Sequence, residues 1–195
     1  MRKYVLAALL AGSVVTPAAA QEATGNFSGV RVEGIVGYDR PSVEGDGSSG
    51  VVYGAGVGYD FQSRGSAVFG VEGEVTDSTS DDCIADFDVT GDELCARAGR
   101  DFYVGARAGA AVSPNVLLYA KAGYTNARVG FDYEDGTTGT ALDFDEGRNL
   151  DGLRAGAGVE FAIGPNSYAK TEYRYSNYED GVSRHQVVAG FGFRF

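Results

Sequence analysis

The few side chains that could perform catalysis surround the only histidine of the chain, His185. Ser183 precedes it by two residues, and a carboxylate could come from Glu179 or Asp180. A nucleophilic serine beside a histidine and an acid would suit a hydrolase that acts on lipid. However, no Gly-x-Ser-x-Gly element is present, and polar residues are ordinary where a loop meets a strand. We therefore expect no catalytic residues and no enzyme.

The two cysteines, Cys83 and Cys95, fall in one predicted loop. In an exported protein they are expected to form a disulfide. By lowering the conformational entropy of the loop, it would contribute about 3 kcal/mol of stability in the chain-entropy model. A pair of free thiols is the alternative. The spacing is far from Cys-x-x-Cys, so a redox activity is not expected.

Acidic residues are concentrated in two predicted loops. They are Asp77, Asp81, Asp82, Asp86, Asp88, Asp92 and Glu93 in the first, and Asp132, Glu134, Asp135, Asp143, Asp145, Glu146 and Asp151 in or beside the second. The segment Asp86–Gly91 faintly resembles a calcium loop, but Arg97 stands where such a loop needs Glu. We expect a solvated acidic surface, no dedicated metal site and no cofactor.

Composition excludes several classes of protein. The net charge is −11 at pH 7, which argues against nucleic-acid binding, and 44% hydrophobic residues argue against a disordered chain. Gly accounts for 30 of the 195 residues, about twice the usual share of roughly 7%. Many positions therefore need a residue without a side chain.

Residues 1–20 have the pattern of an export signal. Arg2 and Lys3 precede an apolar run from Val5 to Val15, and Ala18–Ala20 form a small-residue cleavage site. A retained membrane helix is the alternative, but a bilayer crossing needs about 20 apolar residues. We expect cleavage after Ala20 and a single domain over residues 21–195.

Beyond residue 26 the apolar residues recur at every second position, which is the spacing of one face of a β-strand. This pattern predicts eight strands: Val30–Tyr38, Val51–Phe61, Val68–Val75, Phe102–Val112, Val116–Tyr124, Leu153–Phe161, Ala169–Tyr175 and Val187–Phe195. The predicted connections are alternately long (39–49, 78–98, 130–150, 177–184) and short (62–66, 113–115, 163–166). Such a meander has both termini at the end with the tight turns.

Two all-β architectures fit this pattern. A soluble barrel of lipocalin type would turn the apolar face inward around a ligand, whereas a membrane barrel turns it outward. Strands of about 9 to 11 residues suit a tilted bilayer crossing, and a face rich in Gly and charge suits a narrow lumen. The sequence therefore favours an eight-stranded antiparallel up-and-down transmembrane β-barrel.

In that fold the charged face points inward. The lumen would hold Arg31, Glu33, Glu72, Glu74, Arg107, Lys121, Arg154, Glu160, Lys170, Glu172, Arg174 and Arg194. An eight-stranded barrel is only wide enough for its own side chains, so we expect a plug of ion pairs. A narrow ion or water path lined by the same residues is the alternative.

The closing strand carries a family resemblance. Its alternate aromatics, Phe191, Phe193 and the terminal Phe195, resemble the signal read by the outer-membrane barrel assembly machinery. Nearly the whole mature chain resembles the family of small outer-membrane barrels that includes proteins of opacity type and the OmpA transmembrane domain. The closest matches are Tyr119–Tyr124 and the end of the chain, from Tyr173–Tyr175 through His185–Gly190 to Phe195. The absence of Trp departs from many such barrels, so Tyr and Phe would form the interfacial belts.

This resemblance implies the outer membrane of a Gram-negative bacterium, with both termini periplasmic. The implied partners are outer-membrane lipid, lipopolysaccharide and, during biogenesis, the assembly machinery and periplasmic chaperones. A monomer is expected, because a closed barrel has no free edge. The implied function is a non-catalytic, surface-exposed or structural role in the envelope; a low-conductance porin for small solutes is the alternative.

Overall fold

The computed structural model describes residues 27–43, 49–63, 65–85, 93–134 and 144–195. Nine strands account for nearly all of them, and a single turn of 3₁₀-helix spans Glu179–Gly181. The strands are β1 (Gly29–Val43), β2 (Gly50–Gln62), β3 (Ala67–Ser78), β4 (Asp81–Ala85), β5 (Glu93–Ser113), β6 (Val116–Glu134), β7 (Phe144–Ala162), β8 (Ser167–Tyr178) and β9 (Val182–Arg194).

The strands form one closed, fully antiparallel barrel. Apart from β3 and β4, each strand pairs with its neighbour in sequence, and β1 closes the sheet against β9, from Arg31 opposite Arg194 to Val43 opposite Val182. β3 pairs with residues 101–110 of β5, and the short strand β4 pairs with residues 93–97 of the same strand. β3 and β4 therefore occupy one position in the sheet, and the barrel has eight strands. The predicted fold class is confirmed.

The two ends of the barrel differ. At one end, called the turn end below, three tight turns join β2 to β3, β5 to β6 and β7 to β8, and Phe27 and Phe195 lie beside them. These turns match the predicted short connections. The opposite end is called the loop end.

The predicted long connections 78–98 and 130–150 are too long. β5, β6 and β7 continue well past the apolar band, with 21, 19 and 19 residues. Much of the acidic sequence assigned to loops is therefore strand: Asp77 in β3, Asp81 and Asp82 in β4, Glu93 in β5, Asp132 and Glu134 in β6, and Asp145, Glu146 and Asp151 in β7. An antiparallel ladder satisfies its own backbone groups, so it can continue in water where the side chains are polar. Asp86, Asp88, Asp92, Asp135 and Asp143 lie outside the described residues.

The outward face is apolar and aromatic. Tyrosines predominate towards the loop end (Tyr38, Tyr53, Tyr124, Tyr173, Tyr175), and phenylalanines predominate towards the turn end (Phe61, Phe69, Phe161, Phe191, Phe193, Phe195). Each of these rings is more than a third exposed. In the described part of the chain, no helix is long and apolar enough to cross a bilayer.

Candidate functional site: the filled lumen

The structure places all twelve predicted lumen residues inside the barrel. Four further charged residues join them there, namely Asp39, Asp60, Asp101 and Arg184. The described interior thus holds eight basic and eight acidic side chains, each at most 7% exposed. The twelve predicted residues are seven bases and five acids, so the four further residues make the described interior electrically neutral.

Twelve of these charges form one network nearer the turn end, the turn-side network. Its members are Arg31, Arg107, Lys121, Lys170, Arg174 and Arg194 with Glu33, Asp60, Glu72, Glu74, Glu160 and Glu172. Asp60 is one centre of this network. Three guanidinium groups contact its carboxylate: Arg107 at 2.5 Å, Arg194 at 3.0 Å and Arg31 at 3.2 Å.

Glu172 is a second centre of the turn-side network. It pairs with Lys121 at 3.0 Å, with Lys170 at 3.5 Å and with Arg174, and it accepts a hydrogen bond of 2.6 Å from the Tyr119 hydroxyl. All six carboxylates of this network contact at least two cations, so the charges are held by shared contacts.

The other four charges form the loop-side network: Asp39, Asp101, Arg154 and Arg184. Arg184 contacts both carboxylates and makes its double contact with Asp39. Asp101 also accepts hydrogen bonds from Arg154, Thr125 and Tyr178. This smaller network has two bases and two acids and is neutral by itself.

The two networks are joined weakly. Arg154 Nη1 lies 3.8 Å from Glu74 Oε2, which is longer than a hydrogen bond. The only other bridge among the described side chains is the Tyr103 ring, which has Lys121 Nζ 4.5 Å and Arg154 Cζ 5.3 Å from its centroid. Tyr103 lies against the wall because Gly105 leaves room for it; a Cβ there would stand 2.1 Å from the tyrosine hydroxyl.

An apolar cluster lies at each end of the charged interior. At the turn end, Phe27, Val68, Leu117 and Tyr119 pack together, with Ala111 beside them. At the loop end, Ala127, Leu150 and Tyr178 form a second cluster with Val129 and Val182. A third cluster of Ile35, Val52 and Val188 fills the side of the lumen. The interior charges thus have an apolar cluster at either end of the lumen.

The other predicted residues lie outside the lumen. Ser183 and His185 share the outward face of β9, but no hydrogen bond joins these two side chains; instead His185 Nδ1 lies 2.7 Å from the Tyr173 hydroxyl. Phe191 and Phe193 also face outward, with ring centroids 5.4 Å apart. Within the described residues, no group of three or more His, Cys, Asp or Glu could hold a metal ion.

Cys83 and Cys95 are directly opposite each other in the β4–β5 ladder. Opposite residues of an antiparallel pair have Cα atoms about 4.5–5.5 Å apart, which is within the range that a disulfide spans. The pairing register therefore suits the predicted disulfide, which stays a prediction.

Asp151 is the first outward charged residue of β7 beyond the apolar band, which ends at Leu153. Hydrogen bonds donated by Tyr124 and Asn126 stabilise its carboxylate and lower its pKa. Tyrosine and acid thus meet at the boundary between the apolar band and the polar upper strands.

Comparison with known proteins bears on this architecture. The chain is 29% identical, over 142 residues, to the 25 kDa outer-membrane immunogenic protein of Brucella ovis; the match covers 73% of this chain. The chain spans only 62% of that relative's length.

Solved structures share the fold. Neisserial surface protein A gives a TM-score of 0.60 at 18% identity and covers 86% of this chain and 98% of its own. Ail, the attachment invasion locus protein of Yersinia pestis, was solved in complex with the heparin analogue sucrose octasulfate. It gives a TM-score of 0.56 at 20% identity, and the match covers 86% of this chain and 99% of Ail.

The family match is more extensive than either likeness. A family model described as "Outer membrane protein beta-barrel domain" matches residues 5–195, which include every strand described above. With an apolar outer face, a charged interior and this match over nearly its whole length, the chain belongs to the family of outer-membrane β-barrel proteins.

Proposed function

We propose that this protein is a non-catalytic barrel with a sealed lumen, which displays its loop end at the cell surface in a structural or opacity-like role. One observation carries the proposal: sixteen buried charges fill the interior in two neutral networks, with an apolar cluster at each end. A solute would have to displace several ion pairs at once.

The physical argument rests on the cost of separating buried charges. Removing one partner from a buried ion pair costs roughly 3–5 kcal/mol, and carboxylates such as Asp60 and Glu172 each have three cationic partners. A transient opening through the turn-side network would break several such contacts. We therefore expect the lumen to stay closed on the timescale of ion permeation.

The alternative is a low-conductance porin for small solutes, and single-channel recording separates the two. The refolded barrel is added to a planar bilayer after a heat-modifiable gel shift has established folding. We expect no reproducible steps. Steps that change size in Arg107→Gln or Lys121→Gln, but not in the outward-facing control Arg128→Gln, would overturn the sealed lumen.

We also propose that the turn end and both termini face the periplasm, and that the loop end is extracellular. Support comes from the alternation of tight turns with long connections, which is typical of outer-membrane barrels. The test uses single cysteines in a background with Cys83→Ser and Cys95→Ser. An impermeant maleimide should label Ser49→Cys in intact cells, and Asn115→Cys only after permeabilisation. The reverse pattern would overturn the orientation.

The remaining proposals concern maturation. We propose cleavage after Ala20, a Cys83–Cys95 disulfide, recognition of the strand that ends in Phe195 by the barrel assembly machinery, and a monomeric mature protein.

The intact mass of the mature protein, measured before and after reduction, tests the cleavage site and the disulfide together. A mature mass that does not correspond to residues 21–195, or alkylation of both cysteines without prior reduction, would contradict them.

A further inference from the structure

The outward face of β1 and β9 carries a basic pair just beyond the apolar band. Arg40 and His185 are exact partners in the β1–β9 register, so their side chains lie side by side on the same face. Both are exposed. No ion pair joins Arg40 to a carboxylate of the described residues, although the chain as a whole is strongly acidic.

Tyrosines orient the imidazole of this pair. The Tyr173 hydroxyl lies 2.7 Å from His185 Nδ1, and the Tyr175 ring lies 4.9 Å from the imidazole ring, centroid to centroid. With the Tyr173 hydroxyl donating to Nδ1, the hydrogen resides on Nε2 and can be donated to a ligand. Arg40 adds a planar guanidinium, which suits the oxygens of a phosphate group.

An apolar groove of about 810 Å³ lies on the same strands, closer to the turn end. The outward residues that line it are Val32, Gly34, Val36, Tyr53, Ala189, Phe191 and Phe193. Gly34 leaves open space in this groove: a Cβ added there would meet no atom within 4 Å, so a larger side chain at this position would fill the groove. The lining residues nearest the loop end are Val36 and Ala189, and one outward pair, Tyr38 and Val187, lies between them and the basic pair.

The separation of these two features matches one leaflet of a membrane. Gly34 and Arg40 are six residues apart, which is roughly 20 Å along a strand. With strands tilted by roughly 35–45°, this corresponds to roughly 15 Å along the membrane normal, half of the about 30 Å hydrocarbon core. One amphiphile can therefore place a phosphate at the basic pair and a hydrocarbon chain in the groove.

We propose that Arg40, His185 and this groove bind one molecule of a phosphorylated glycolipid of lipid A type. The guanidinium and the imidazole N–H hold a phosphate of the sugar headgroup, and the groove holds an acyl chain. Assignment to this lipid rests on the proposed orientation, which puts the loop end in the outer leaflet, where lipid A is the resident anionic lipid. The site adds a defined lipid contact to the surface role proposed above.

Native mass spectrometry of the refolded barrel, titrated in detergent with diphosphoryl lipid A, tests this site. We expect one retained lipid, and about tenfold weaker binding in Arg40→Gln/His185→Gln and in the groove-filling variant Gly34→Leu. The matched controls are Arg128→Gln, which removes another exposed arginine near the loop end, and Gly73→Leu, which adds the same bulk to the outward face of β3. Both controls should bind like the wild type.

A second titration separates the two halves of the site. With dephosphorylated lipid A, the Arg40→Gln/His185→Gln variant should match the wild type, whereas Gly34→Leu should still bind weakly. Equal binding by all variants, equal losses in the controls, or equal retention of phosphatidylglycerol would overturn the site. Because binding in detergent is independent of how the barrel is inserted, these results leave the orientation to the cysteine-labelling experiment.

Discussion

The two ion-pair networks of the lumen differ in size and in how their charges are shared. The turn-side network neutralises six bases with six acids, whereas the loop-side network neutralises two with two. Among the described side chains, the two networks are joined only by the 3.8 Å contact between Arg154 and Glu74 and by the Tyr103 ring. The lumen is therefore filled by two separately neutral units, and neither needs the other for charge balance.

The largest effect is expected from Asp60→Asn. The substitution keeps the shape of the side chain but leaves Arg31, Arg107 and Arg194 with one carboxylate fewer, deep in the lumen. We expect a loss of about 3–5 kcal/mol in unfolding free energy. Because the chain has no Trp, urea unfolding in micelles is followed by circular dichroism. A loss below about 1 kcal/mol would contradict the shared-carboxylate description.

The corresponding change in the loop-side network, Asp39→Asn, should cost less. Arg184 keeps its contact with Asp101 at 3.2 Å, and Ser78 and Ser80 can still donate to the Asn oxygen. We expect a loss of about 1–3 kcal/mol, measured in the same urea titration. A loss equal to that of Asp60→Asn would remove the difference between the networks.

Double-mutant cycles test whether the networks are separate. Combining Asp60→Asn with Arg194→Met removes one charge of each sign from the same network, so the second change should partly offset the first. We expect a coupling of about 0.5–3 kcal/mol. Combining Asp60→Asn with Arg184→Met spans the two networks and should be additive within about 0.5 kcal/mol. Equal coupling in both cycles would show one continuous network.

The smallest effect is expected from Tyr103→Phe. The ring that contacts Lys121 and Arg154 remains, and the buried hydroxyl makes no hydrogen bond within the described structure. Unfolding free energy should change by less than about 0.5 kcal/mol. The matched variant Tyr103→Leu removes the ring as well and should lose about 1–2 kcal/mol. A large loss in Tyr103→Phe would reveal a polar link between the networks.

The alternation of residues was enough to predict the strands and the inward face, since neighbouring side chains of a strand must point to opposite sides. The same alternation could have predicted Asp60 as a lumen residue, because it lies on the inward face of β2 with Gly54, Gly56 and Gly58. Asp39, Asp101 and Arg184 were missed because they fall at strand ends that the apolar pattern does not reach. The polar loop-end segments of β5, β6 and β7 show no alternation of apolar and polar residues, so these strands were predicted too short.

Partners across the lumen could not be predicted. The pairing of Arg107 with Asp60, or of Arg174 with Glu74, depends on the stagger between strands that are far apart in sequence. A pattern along one strand contains no information about that stagger. The neutrality of each network emerges only when the barrel closes.

Proton flux across proteoliposomes tests the sealed lumen most directly, because protons cross paths too narrow for solutes. Liposomes containing the folded barrel and a pH-sensitive dye are given a pH step in the presence of valinomycin and potassium. The account predicts a rate equal to that of protein-free liposomes. A flux that increases in proportion to the amount of folded barrel would contradict it.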